Sequence, residues 1–201
     1  MRYEKTVLLR GGGVCLLRSL TPGDAKVVLD HQIQTCGETD FLVRYPDEVT
    51  MSLQQEEEFL ARQEAQGREL LMGAFLNGDL AATGGFYQAE PYDRHRHRAA
   101  FAVAVKAVYH RLGIGRALLE ASVEAAKSVG YEQLELTVLS DNIRAINLYR
   151  RAGFCTFGSL ERAVRYRDGR YGDQQWMVLP LTPAAEYTAP PGRSGPGQSS
   201  R

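Results

Sequence analysis

The sequence predicts an α/β (α+β) domain: a mixed, mostly antiparallel sheet of about seven strands with four helices on its faces. Three observations carry this. Asn77-Gly78-Asp79 lies between two apolar runs, Leu70 to Leu76 and Leu80 to Tyr87, a strong hairpin signal. Residues 103–119 read as an apolar strand, a short turn holding Gly113 and Gly115, and an amphipathic helix. Leu134 to Leu139 is a near-continuous apolar run of strand length, as expected for a strand in the middle of a sheet.

The remaining elements follow in chain order. Thr6 to Leu9 and Val14 to Leu17 flank Gly11-Gly12-Gly13 and read as a strand pair or as one bulged strand. Thr21-Pro22-Gly23-Asp24 offers an N-cap with proline at the first helical position, and Ala25, Val28, Leu29 and Ile33 recur at helical spacing. A first helix is expected over about 22–36, ended by Gly37. An irregular link, Glu38 to Thr50, leads to Ser52 and Gln55, which resemble a capping box opening a second helix to about Gln66. Glu56-Glu57-Glu58 in its first turn suit the helix dipole. After the hairpin come a strand at about 99–105, a helix over about 113–128 ended by Gly130, and the strand at 134–139. Asp141-Asn142 caps a helix to about Ala152, stopped by Gly153, and two strands near 154–165 and 174–180 close around Arg167-Asp168-Gly169-Arg170. From Pro183 the Pro, Gly and Ser content cannot form a packed core, so a domain over 1–182 and a disordered tail over 183–201 are expected.

Composition narrows the function classes. The 24 Lys and Arg balance 24 Asp and Glu, so nothing in the net charge points to nucleic acid or an anionic membrane as partner. Cys15, Cys36 and Cys155 are odd in number, far apart and without C-x-x-C spacing, which argues against a disulfide framework and against a zinc site; no metal is expected. Cys155, at the start of a strand, reads as buried packing rather than a nucleophile. The N-terminus lacks a signal-peptide layout and no apolar run approaches the ~18 residues of a membrane span, so a cytoplasmic protein with no membrane partner is expected.

Two clusters carry chemistry. Without side chains at Gly113 and Gly115 an anion can approach the backbone, and the N–H groups of the first helical turn point at it. Such a turn also serves geometry alone. A dinucleotide fingerprint is not met, since Leu118 stands at the third glycine position, and no Gly-Lys-Ser/Thr follows as in a P-loop. The second cluster runs from Asp141 to Phe154. Read plainly, Ala145, Leu148, Tyr149 and Ala152 form the apolar face of a helix, with the Tyr149 hydroxyl at the rim of the core.

Together, the two resemble the GNAT superfamily of acyl-CoA-dependent N-acyltransferases. The superfamily's phosphate loop, Gln/Arg-x-x-Gly-x-Gly/Ala, is matched by His110-Arg111-Leu112-Gly113-Ile114-Gly115. Its later signature, Asn-x-x-Ala-x-x-Leu-Tyr-x-x-x-Gly-Phe, is matched by Asn142 through Phe154. The resemblance covers about 14–180 and implies a single GNAT-like domain whose sheet splays between the fourth and fifth strands. It further implies acetyl-CoA as co-substrate, with its pyrophosphate on the backbone N–H groups of Leu112, Gly113, Gly115 and Arg116. The pantetheine arm would then pair with the backbone of Val103, Ala104 and Val105. Asn142 and Asn147 match positions that often contact the cofactor, and Tyr149 the position that often protonates the departing thiolate.

Some positions depart from the pattern. His110 replaces Gln or Arg, which shifts part of the phosphate pairing to Arg111 or Arg116. Thr137 stands where some relatives carry a Glu base; Glu135 shares its strand face and is the candidate base, beside His97, Glu90 and ordered water. Arg94-His95-Arg96-His97-Arg98 is a solvated loop or a contact for an acidic group, with alternation placing His95 and His97 on one side. The acidic and aromatic link, with Glu38, Asp40, Phe41, Tyr45, Asp47 and Glu48, either holds a cationic amine or packs Phe41 and Tyr45 on the core.

The expected function is acetyl transfer to a primary amine by direct attack in a ternary complex, the acceptor being an amine-bearing small molecule or peptide. The resemblance leaves a homodimer open. The rival readings are a non-catalytic acyl-CoA-binding sensor or structural module and, behind it, a nucleotide-binding protein.

Overall fold

In the computed structural model, which describes residues 1–182, the two opening apolar runs form separate strands, β1 (Glu4–Leu8) and β2 (Val14–Ser19). The tail expected over 183–201 lies outside the described residues. A 3-10 turn over Pro22–Asp24 leads into α1 (Ala25–Gly37), so the proline starts a turn rather than the α-helix itself. The capping box opens α2 (Leu53–Ala65) as expected: Gln55 N–H donates to Ser52 Oγ at 3.2 Å and Ser52 N–H to Gln55 Oε1 at 2.8 Å. Glu56, however, does not solvate the helix start. It is fully buried, and neither carboxyl oxygen has a hydrogen-bond partner among the described residues.

The hairpin forms at the expected place. β3 (Leu70–Leu76) and β4 (Asp79–Gln88) pair through a two-residue turn in which Asn77 and Gly78 both take positive φ, 52° and 85°, the geometry that matches strand twist. Then follow β5 (Arg98–Val105), α3 (Ile114–Ser128), β6 (Gln133–Leu139), α4 (Ile143–Arg151), β7 (Cys155–Arg165) and β8 (Tyr171–Pro180). The eight strands form one sheet in the order β1-β2-β3-β4-β5-β6-β8-β7. That is one strand more than the sequence suggested, because Gly11-Gly12-Gly13 separates a true pair, with Leu8 opposite Val14.

All neighbours run antiparallel except β5 and β6. These two are parallel and in register only at Arg98–Gln133, Ala99–Leu134 and Ala100–Glu135, after which they diverge. With β1 and β2 counted apart, the splay falls between the fifth and sixth strands.

Alternation along β3 shows how the two faces divide. Met72 and Ala74 belong to the larger core, which α3 and α4 cover with Ile114, Leu118, Leu119, Ile146 and Tyr149. Leu71 and Phe75 point to the other face and join a smaller cluster of Leu20, Ala25, Val28, Leu60 and Leu80 beneath α1 and α2. Each fully buried Leu on α3 is worth ~1.5–3 kcal/mol of transfer free energy, so α3 is fixed firmly against β4 and β5.

Candidate active site

The divergence of β5 and β6 leaves backbone groups open. Lys106 N–H donates to Ala81 on β4 at 3.0 Å and Ala89 N–H to Arg98 C=O at 3.1 Å, while Glu132 N–H donates to His97 C=O at 2.8 Å. Even-numbered residues of β5 therefore turn their backbone to β4, and odd-numbered ones turn it to β6. The pairing with β6 ends at Phe101, and beyond it the main chains of Val103 and Val105 face the opening; that of Ala104 pairs with Thr83 and is turned away from it. The His110 ring closes the end of this row, with Nε2 2.9 Å from Val105 C=O.

Beyond β5 the chain makes a tight turn. Arg111 and Gly113 are both left-handed, at φ 67° and 97°, and Gly113 is the N-cap of α3. The first N–H to bond back into the helix start is that of Ala117, to Gly113 C=O at 3.0 Å. Among the described residues the N–H groups of Leu112, Gly113, Ile114, Gly115 and Arg116 make no hydrogen bond. A Cβ on Gly115 would lie 3.7 Å from both Leu148 Cδ2 and Val105 Cγ2, which ties this turn to α4 and to the end of β5. The Arg116 side chain pairs with Glu120 at 2.7 Å, so its backbone rather than its guanidinium is available.

On α4, Asn142 is the N-cap: its Oδ1 accepts from Ala145 N–H at 3.1 Å, which leaves only its amide N–H groups for a ligand. Asn147 is exposed. Tyr149 is 7% exposed, and its ring meets Phe101 edge-on at 6.2 Å and Phe154 at 5.8 Å. Its hydroxyl has no hydrogen-bond partner among the described residues, yet it is not enclosed. Burial pushes it up to about 12, so it holds its proton at neutral pH.

Glu135 lies on the opposite face of β6 from Leu134 and Leu136, toward α1 and α2. Arg98 grips it with Nε and Nη2, the latter 2.7 Å from Oε2, and Gln133 Nε2 donates to Oε1 at 2.6 Å. Burial raises this carboxyl, but the hydrogen bonds from Arg98 and Gln133 outweigh it and hold the group below the usual carboxylate range. Thr137, on the same face nearer the opening, is exposed. The basic run holding Arg98 bends through a 3-10 turn at Asp93–His95 before β5 begins, so the alternation expected of His95 and His97 does not apply.

The acidic link differs from its expected role as a seat for a cation. Arg167, in the β7–β8 turn, forms a two-pronged pair with Asp47 at 2.9 Å and stacks 4.0 Å over the Tyr45 ring. Its N–H donates to the Tyr45 hydroxyl at 3.0 Å. Arg170 reaches Asp40 at 3.2 Å, and Glu38 accepts from Ala107 N–H at 2.7 Å. Tyr45 is thus held by Arg167, and Phe41 is exposed instead of packed in the core. Cys155 also differs: it is exposed, because Phe154 takes the buried side and alternation turns Cys155 outward on edge strand β7. Nothing local in the sequence marks the reach of Arg167 to Asp47 or of Arg170 to Asp40, each spanning more than a hundred residues. The backbone row of β5, by contrast, was expected at Val103, Ala104 and Val105, and of these the main chain of Ala104 faces β4 instead.

Comparison with known proteins identifies relatives of this fold. A family model described as the acetyltransferase (GNAT) family matches residues 38–154. An N-alpha-acetyltransferase of Sulfurisphaera tokodaii is 44% identical over 80 residues, 39% of this chain and 46% of that protein. An L-methionine sulfoximine/L-methionine sulfone acetyltransferase of Pseudomonas aeruginosa is 28% identical over 118 residues, 59% of this chain and 68% of that one. This chain thus spans less than half of the archaeal relative. The crystal structure of a GNAT-family acetyltransferase from Streptococcus pneumoniae superposes with a TM-score of 0.79 at 30% identity, covering 83% of this chain and 99% of its own. With the family model matching more than half of its residues and the pneumococcal structure overlaid nearly whole, the chain belongs to the GNAT family of acetyltransferases.

Proposed function

We propose that the protein transfers the acetyl group of acetyl-CoA to a primary amine by direct attack within a ternary complex. One observation carries the reading: a turn of unbonded N–H groups continues into an open strand edge that passes the ring of buried Tyr149. The residues fit the co-substrate. Left-handed Gly113 lets a diphosphate come close to the N–H groups of Leu112, Gly113, Gly115 and Arg116, and the main chains of Val103 and Val105 offer the pairing groups a pantetheine amide needs. When bound, acetyl-CoA supplies an acyl group activated as a thioester.

The chain's own residues do the rest. An N–H of β5 facing the splay polarises the acyl carbonyl where charge develops. Tyr149, kept protonated by burial, donates its proton to the departing sulfur. Glu135 is the proposed group on the acceptor side. Held ionised by Arg98, it is too weak a base to keep the amine's proton, so it orients a water that passes the proton to solvent. Asn142 at the N-terminus of α4 and Asn147 midway along it are proposed as auxiliary cofactor contacts.

The pairing of Asp40 and Asp47 with arginines takes away the main support for a polyamine acceptor. One curated relative is named an N-alpha-acetyltransferase and the other an acetyltransferase of two methionine derivatives, and we infer an acceptor that carries an α-amino group, an amino acid or a peptide N-terminus. The engaged state of Glu135 favours one other reading, a sensor that binds acyl-CoA without transfer. Following acetyl-CoA consumption across a panel of amino acids, amino-acid analogues, peptides and polyamines decides between them. Acetylated product from α-amines supports transfer; tight acetyl-CoA binding with no product from any amine supports the sensor.

A further inference from the structure

Three arginines that the proposed chemistry leaves unused gather around the turn before α3. Arg10 comes from the β1–β2 loop, which is drawn tight by Leu9 N–H to Gly13 C=O at 2.8 Å and Gly12 N–H to Leu9 C=O at 3.1 Å. Arg10 N–H donates to Leu112 C=O at 3.1 Å, and its Cγ lies 4.0 Å from where a Cβ on Gly113 would stand. Arg111 is part of the turn itself, and Arg144 stands in the first turn of α4, whose Leu148 packs beside Gly115. Among the described residues none of the three forms an ion pair, whereas the neighbouring Arg116 does, with Glu120. Burial and then the nearby Arg111 charge pull the Arg144 guanidinium below its ordinary range, so the two cations repel within reach of each other.

This arrangement is unfavourable in the free protein. Cations at a helix N-terminus oppose the macrodipole. An anion entering among them reverses the sign of every term. The N–H row of the turn suits a diphosphate lying along it, while guanidinium forks suit a terminal phosphomonoester that can accept two parallel hydrogen bonds from each. Coenzyme A carries both groups. We propose that Arg10, Arg111 and Arg144 seat its 3′-phosphate, so that the protein selects 3′-phosphorylated coenzyme A over dephospho-coenzyme A. The Gly11-Gly12-Gly13 loop thereby serves the donor site from the far edge of the sheet. This inference rests on the donor site proposed above.

Calorimetric titration of the full chain with coenzyme A and dephospho-coenzyme A tests it. The wild type is expected to prefer coenzyme A by about tenfold or more, equivalent to ~1.4 kcal/mol. Arg10→Met and Arg144→Met are each expected to cut that preference to about threefold or less, leaving dephospho-coenzyme A affinity unchanged and the ligand-free Tm equal to or slightly above that of the wild type. Added salt should narrow the preference in the wild type and not in the double variant. Equal binding of the two ligands by the wild type, or a preference that survives both substitutions, overturns the arginine seat while leaving the donor site standing. Binding of neither ligand removes the donor site and the seat together.

Discussion

The two flanks of the splay between β5 and β6 are built from different materials. On the α3–α4 flank, buried side chains lock two helices to the sheet and the groups proposed to hold the donor are backbone N–H groups fixed by that packing. On the proposed acceptor flank, the 38–48 link and the β7–β8 turn meet through Arg167, Asp47, Arg170 and Asp40, all of them more than half exposed. Exposed pairs of this kind contribute ~0–1 kcal/mol and yield to salt. One flank is therefore rigid and generic, suited to a co-substrate shared by a whole family. The other can separate at little cost, as a wall that admits a particular acceptor must.

The largest expected effect lies on the rigid flank. Tyr149→Phe removes one oxygen and no packing, so turnover should fall about 10²–10⁴-fold while coenzyme A affinity stays within a factor of two, read from kcat and from calorimetry. Unchanged turnover takes Tyr149 out of the mechanism.

Next comes a stability effect under the acceptor flank. His31 on α1 is 1% exposed with neither ring nitrogen hydrogen-bonded among the described residues. Burial, then the nearby Lys106 charge, press its pKa down to about 4, against the opposing pull of Glu38 and Asp79. The unfolded chain takes up this proton near pH 6.5 and the folded one only near 4, so stability is full above about 6.5 and is lost as pH falls through that window. His31→Leu should flatten the pH dependence of unfolding between 6.5 and 4, a difference of ~2–3 kcal/mol at the lower end measured by urea denaturation. An unaltered slope would assign the acid lability to other groups.

A smaller contrast separates the two glycines of the turn. A side chain at Gly113 would make only an ordinary contact, with Arg10 Cγ at 4.0 Å, but φ 97° penalises any L-residue by ~1–2 kcal/mol, so Gly113→Ala should weaken coenzyme A binding about tenfold. Gly115 has no such φ and a Cβ there makes ordinary contacts, so Gly115→Ala should bind nearly as the wild type does. The smallest effect belongs to the strap. Arg167→Met should change stability by less than ~1 kcal/mol. Its effect should fall on the acceptor KM, leaving the KM for acetyl-CoA in place.

The same division decided what could be read from the sequence. The donor flank depends on glycine at fixed spacing, a cap and an apolar face, all of them local, and so Gly113, Gly115, Asn142 and Tyr149 stood out before any fold was known. The hairpin at Asn77-Gly78 was legible for the same reason. The acceptor flank depends on pairs such as Asp47 with Arg167, which only tertiary folding brings together, and its acids therefore looked free. Glu135 was legible as a carboxylate on the right strand face, but not its capture by Arg98, which lies in a parallel pairing with no turn to announce it. Cys155 was misread because the edge position of β7 depends on the order β6-β8-β7, which chain order does not display.

The central claim is that the turn before α3 and the open edge of β5 form one coenzyme A site. Calorimetric titration of the full chain with coenzyme A, ATP and NAD, repeated on Gly113→Val, tests it most directly. One coenzyme A per chain, at least tenfold tighter than ATP or NAD and lost in the variant with the fold intact, is the expected result. Equal affinity for all three nucleotides, or coenzyme A binding that Gly113→Val leaves untouched, contradicts it.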